Sequence, residues 1–197
     1  MSSARSPLAA DTESVRYFVA VPLPPHVEQS LAAMQPRGLE GARLADPDSF
    51  HLTLHFLGSL SSEQISEVIA ALNDVAFATF PLTIRGANVF RRDGVPFVLW
   101  AGVDDCPALR DLQREIGTAL HSASGFQPEN RTYSPHITLA RLKENVLDSE
   151  LSAELRRNAE VVIAEIAISQ FALFSSRNEN GVPYYRVEAQ FSNDART

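Results

Sequence analysis

Two tetrapeptides in this chain set a threonine two residues after a histidine: His51-Leu-Thr53-Leu and His136-Ile-Thr138-Leu. On a strand, residues two apart share a face. His51 and Thr53 therefore point one way and Leu52 and Leu54 the other, and the second copy repeats the pattern with Ile137 and Leu139 opposite. If the two strands lie side by side or face one another, two imidazoles and two hydroxyls converge on one small volume. That set suits displacement at a phosphodiester. Near neutral pH one imidazole can take a proton from the nucleophile while its protonated partner delivers one to the leaving oxygen. The threonine hydroxyls can donate to the non-bridging oxygens as charge gathers on them. A five-membered cyclic phosphate is strained and needs no metal to open. One His-apolar-Thr-apolar strand is ordinary; two copies in a chain with five histidines are harder to assign to packing alone.

These strands need a frame. Arg16 to Leu23 is β-branched and aromatic and stops at Pro24-Pro25, so it reads as a strand, with Pro25 in the first turn of a helix running to about Met34. Residues 36–47 read as loop, and Phe50 to Leu57 as the next strand. Ser61 and Gln64 form a capping box for a helix with Ile65, Val68, Ile69 and Leu72 along one face. Two strands, Leu82 to Phe90 and Pro96 to Val103, are joined by a hairpin at Asp93-Gly94. A helix follows from about Pro107 to Ser122, then the second motif strand and a partly helical charged stretch to Ala159. Val161 to Phe174 reads as one long strand, turned at Asn180-Gly181 into a last strand, Pro183 to Phe191. The pattern predicts an α+β protein of two intertwined lobes, each with a largely antiparallel sheet flanked by helices, around a central cleft. The expected limits are a leader over 1–14, one two-lobed domain over 15–192 and a tail over 193–197.

Composition narrows the function classes. The formal charge of −7 argues against a protein that coats long nucleic acid, so any such contact should be local, at a cleft with a few arginines. No apolar run approaches a membrane span, and the polar start lacks a secretory h-region, which predicts a cytoplasmic protein. The single cysteine, Cys106, excludes an internal disulfide and any multi-Cys metal site, and it reads as inert. His55 shares the parity of His51, but a helical zinc motif would carry Glu between its histidines, where this chain has Leu-Thr-Leu. No metal site is expected. His26 and His121 read as surface residues and Trp100 as core. Phe18, Phe56 and Tyr133 are candidates to stack on a base; a regular strand would turn Phe56 toward the core. Arg43 and Arg131, in loops leading to the motifs, are candidate phosphate contacts.

The motifs resemble those of the two-histidine phosphoesterase superfamily, in its RNA 2′,3′-cyclic phosphodiesterase and 2′-5′ RNA ligase-like branch. The likeness runs from about Arg16 to Phe191. It includes "RYFVAVPLP", "SFHLTLHFLG", "FVLWAGV", "PHITLAR" and the C-terminal "LFSSRNENGVPYYRV". The resemblance implies two pseudo-symmetric lobes. It makes His51 the general acid that protonates the departing 3′ oxygen and His136 the general base that activates water. Thr53, Thr138 and Arg141 would hold the phosphate, and no cofactor is implied. RNA ends or small cyclic nucleotides would be the partners, with no membrane and no obligate protein partner. Many relatives carry Arg just before the strand of Trp100, where this chain has Phe97. Two rivals keep the same residues: a related enzyme acting on 2′-5′ oligonucleotides or ADP-ribose-type cyclic phosphates, and a nucleotide-binding module without turnover.

Overall fold

Among the described residues, alternating apolar residues in nine strands write two antiparallel sheets, and each sheet receives one of the motif strands. The computed structural model describes residues 15–124, 126–127, 132–179 and 182–192. The elements, in chain order, are β1 (Arg16–Pro22), α1 (Pro25–Met34), β2 (Ala42–Leu44), β3 (His51–Gly58), α2 (Ser62–Asn73), β4 (Phe80–Arg92), β5 (Val95–Val103), α3 (Pro107–Ser124), β6 (His136–Leu142), α4 (Asp148–Asn158), β7 (Val162–Ile168), β8 (Gln170–Glu179) and β9 (Val182–Ser192). One sheet has the order β3-β1-β8-β9, the other β2-β6-β5-β4-β7. Without the short edge strand β2, the orders match: the His51 strand sits beside β1 as the His136 strand sits beside β5.

The helices cross between the sheets. α1 follows β1 of the four-stranded sheet but packs on β6 and β7 of the other. α3 follows β5 of the five-stranded sheet yet reaches β3, with α2 alongside. That exchange intertwines the lobes, and one apolar core, from Val19 and Leu52 to Leu99, Ile137 and Phe171, runs behind both sheets. α1 buries Val27, Leu31 and Met34, the helical spacing read from sequence. The capping box of α2 is complete: Ser61 Oγ accepts from the Gln64 amide at 3.2 Å and Gln64 Oε1 accepts from the Ser61 amide at 2.9 Å. Asp93 and Gly94 join β4 to β5 at φ of 50° and 83°, the left-handed pair a tight hairpin requires.

Two expectations are corrected. The loop over 36–47 contains β2, whose Arg43 pairs with Arg141 across the ladder. The single strand expected over Val161 to Phe174 is two strands: the chain leaves β7 in one sheet, passes Ser169, and enters β8 in the other. The leader, the tail, the Asn180-Gly181 turn and Arg131 lie outside the described residues. No described helix is long and apolar enough to cross a membrane.

Candidate active site

β3 and β6 meet across the cleft. Leu52, Leu54, Ile137 and Leu139 go into the core, while His51, Thr53, His136 and Thr138 stay half-buried on the opposite face. Both imidazoles are held in the same way. His51 Nδ1 lies 2.7 Å from the carbonyl of Ser49, and His136 Nδ1 lies 2.8 Å from the carbonyl of Ser134. A carbonyl only accepts, so Nδ1 carries the proton in each ring, and any proton that a neutral ring takes up goes to Nε2. The shared pattern is Ser-x-His-x-Thr, and the repeated serine was a sequence signal that the His-x-Thr reading passed over.

Each motif strand also carries a bulge at the same place. On β3, Thr53 pairs with Ala20 and His55 with Val19, which leaves Leu54 as the extra residue. On β6, Thr138 pairs with Trp100 and Ala140 with Leu99, which leaves Leu139. A bulge of one residue reverses the side-chain parity beyond it. The residue five after each histidine is thereby brought to the cleft face: Phe56 on β3 and Arg141 on β6. Phe56, expected to point toward the core, is instead 53% exposed, its ring 6.1 Å from Phe18. His55, on the parity of His51 in a regular strand, is turned inward to 6% exposure, where Nε2 meets the Gln113 carbonyl at 2.7 Å. The carbonyl of Leu139 accepts from the Ala45 amide at 3.0 Å and from Gln35 Nε2 at 2.9 Å, so the β6 bulge has its own clamp.

The two rings differ in surroundings. His51 is enclosed by Phe18 (ring centroids 4.8 Å apart), Tyr185 (5.2 Å) and Phe174 (6.0 Å). Burial lowers its pKa to about 4. The Ser49 carbonyl opposes that shift and nearby His136 adds to it. His136 has Phe90 edge-on at 4.7 Å and Trp100 at 6.0 Å. Tyr185, from β9, has its phenol pushed up by burial, while Arg141 and Arg43 pull it back, so these three lie within electrostatic reach of one another.

Several candidates take a different place from the one expected. Phe18, at 3% exposure, floors the His51 ring and has no face open to a base. Tyr133 spends its hydroxyl on the Thr53 carbonyl at 3.0 Å, tying the loop before β6 to the first motif. Trp100, expected in the core, stands half-buried on the cleft face opposite Thr138. Arg43 shares the ladder position of Arg141. Phe97 stacks 6.3 Å from Phe90 and carries Arg92 over its ring at 5.2 Å. Tyr185, Phe174, Phe90 and Gln35 were missed, since each reaches the site from an element distant in sequence. Cys106 lies 3.7 Å from the Pro81 carbonyl. Among the described residues, no three His, Cys, Asp or Glu side chains are grouped to hold a metal ion.

The chain has known relatives. A protein of Thermotoga maritima named RNA 2′,3′-cyclic phosphodiesterase is 31% identical over 90% of this chain and 96% of its own length. One of the same name from Aeropyrum pernix is 31% identical over 74% of this chain and 82% of its own length. The structure of TT0787 from Thermus thermophilus matches with a TM-score of 0.76 at 27% identity, over 92% of this chain and 100% of that one. E. coli LigT complexed with 3′-AMP shares the fold, with a TM-score of 0.73 at 24% identity over 91% and 98% of the two chains. The family described as the 2′-5′ RNA ligase superfamily matches residues 23–180, which take in every element from α1 to β8, so the chain belongs to that superfamily.

Proposed function

We propose that the protein opens 2′,3′-cyclic phosphate ends of RNA to 2′-phosphomonoesters by paired histidine acid–base catalysis. The observation that carries this reading is the matched pair of imidazoles, each with Nδ1 on the carbonyl two residues before it, which assigns proton transfer to Nε2. The names of the relatives at 31% identity support the substrate. His136 Nε2 takes a proton from water, whose oxygen bonds to phosphorus. The bond from phosphorus to the 3′ oxygen breaks, and His51 Nε2 gives that oxygen its proton. One water is consumed, the ring opens, and the two histidines exchange protonation states, to be reset through solvent. Thr53 and Thr138 donate to the non-bridging oxygens, and Arg141 adds a charge-assisted contact.

The aromatic enclosure bears on the acid. A ring lowered to about 4 is neutral in the resting protein near pH 7, so His51 must gain its proton together with the ester. The anionic diester supplies the reason, because a negative charge beside the ring favours the imidazolium. Substrate binding and loading of the acid are thus one coupled step. The test is turnover of a 2′,3′-cyclic nucleotide by the purified protein in EDTA, with the product isomer identified. A 2′-phosphate is expected. A 3′-phosphate would reverse the assignment of the leaving oxygen, and no turnover of any cyclic end would overturn the reading.

A further inference from the structure

Beside His136 the cleft opens into a groove of ≈ 410 Å³. It runs across the cleft face of the five-stranded sheet from Ser134 and Pro135, over Gly102 and Trp100 on β5, to Arg85 and Asn88 on β4. Gly102 is the ladder partner of His136, so the groove begins at the catalytic position itself. A Cβ at Gly102 would lie 2.5 Å from the Arg85 carbonyl, which fixes glycine there and keeps the floor bare. Tyr133 and Trp100 give the groove aromatic surface, and its charged lining is Arg85, Arg110 and Asp105. Both arginines are about half-exposed, at 47% and 48%. Arg85 reaches Asp104 through Nε at 3.2 Å, which leaves its terminal amino groups for a second anion, and Arg110 pairs with Asp105. The indole Nε1 of Trp100 is buried with no hydrogen-bond partner among the described residues. Neither arginine has a part in the chemistry above.

We infer that this groove holds the penultimate nucleotide of an RNA chain whose last nucleotide carries the cyclic phosphate. The inference rests on the proposed function and extends it. On a cyclic end the 2′ and 3′ oxygens are both tied to phosphorus, so the chain continues only through the 5′ oxygen. A track that starts beside His136 and leads away across β5 and β4 fits that connectivity. Guanidinium groups beside aromatic surface match the alternation of phosphate and base along a single strand. The groove volume lies in the range of small-molecule sites and suits one nucleotide rather than a long tract, in keeping with the net negative charge of the chain.

The test compares a trinucleotide ending in a 2′,3′-cyclic phosphate with the corresponding cyclic mononucleotide. The trinucleotide is expected to have the higher kcat/KM by roughly tenfold, the effect of one charge-assisted phosphate contact. In the Arg85→Gln/Arg110→Gln double variant the ratio should fall to near one, and it should lose most of its dependence on salt. Binding is followed separately through Trp100, the single tryptophan, by titrating a trinucleotide ending in a 2′-phosphate against the 2′-mononucleotide. This arm needs no turnover, so it still tests the groove if cyclic ends are not hydrolysed. Equal kcat/KM and equal affinity for the two lengths in the wild-type protein would overturn the inference. So would a length preference that the double variant keeps.

Discussion

Five residues after its histidine, β3 presents Phe56 to the cleft and β6 presents Arg141. Both positions are delivered by the same device, a bulge at the leucine three residues after the histidine. The Nδ1 contacts match as well, at 2.7 and 2.8 Å. The differences lie in what surrounds the rings. His51 sits in a box of Phe18, Phe174 and Tyr185, while His136 borders Phe90, Trp100 and the groove. A duplicated backbone plan thus sets two equal imidazoles in place, and unequal neighbours surround them. In the proposed mechanism the enclosure in the four-stranded sheet bears on the proton of His51, while Arg141 on the five-stranded sheet adds a charge-assisted contact to the phosphate.

The largest effect comes from removing either ring. His51→Ala and His136→Ala should each lower kcat by about 10²–10⁴-fold, the usual range for a lost acid or base. The comparison sharpens with an aryl phosphodiester whose leaving p-nitrophenolate needs no proton. His51→Ala should recover much of its activity on that substrate and His136→Ala should not. Recovery by His136→Ala alone would exchange the two roles.

Next come the two residues delivered by the bulges. Arg141→Ala should lower kcat/KM by about 10- to 100-fold, as expected for a lost charge-assisted contact to phosphate. Phe56→Ala should cost about tenfold at most, mainly in KM, and the loss should vary with the terminal base, because an exposed ring without a polar atom can offer a nucleotide only a stacking face. Equal losses at both positions, independent of base, would mean that Phe56 acts on the phosphate too.

The proton asymmetry has its own measurement. NMR titration of the His51 ring should give a pKa near 4 in the free protein, rising when a 2′-mononucleotide is bound. Phe174→Leu should open the box and move the free value upward. The sign for stability follows from the depressed folded value. The unfolded chain takes up this proton below about 6.5 and the folded one only below about 4. The unfolded state therefore binds more protons between those limits, and this contribution to stability is lost as pH falls through them. A His51 that titrates near 6.5 in the free protein would remove the coupling between substrate binding and acid loading.

Much of this was legible in the residues. His-x-Thr strands, the proline at the start of α1, the Ser61/Gln64 box and the Asp93-Gly94 turn act through side chains or backbone permissions that the sequence states directly. The bulges are different. Leu54 and Leu139 are ordinary strand residues, and nothing in their type marks them as extra, so the inward turn of His55 and the outward turn of Phe56 were hidden. The switch of sheets at Ser169 was masked for a similar reason. Apolar residues continue on both sides of it, with no glycine or proline to punctuate the run. Tyr185 and Gln35 were invisible because the strands that use them are remote in sequence.

The smallest effect tests the supports behind the two strands. The Thr53 carbonyl on β3 accepts from Tyr133, and the Leu139 carbonyl on β6 accepts from both Gln35 and Ala45. Tyr133→Phe removes the only side-chain donor that reaches the Thr53 carbonyl among the described residues, at a cost of about 1 kcal/mol. For a chain of this length that lowers Tm by roughly 2–4 °C. Gln35→Leu takes one of two donors from Leu139 and leaves the Ala45 amide in place, but it also deletes a buried amide that bonds the Ala45 carbonyl at 2.7 Å. Its thermal cost should match or exceed that of Tyr133→Phe. The kinetic effects should separate by strand. Tyr133→Phe loosens the first motif and the loop that carries Ser134, so it should reduce kcat by a few-fold on every substrate. Gln35→Leu relaxes the bulge that aims Arg141, so it should raise KM by a few-fold and alter kcat less. If both variants changed KM alone, the tie from Tyr133 to Thr53 would have no part in aligning the two histidines.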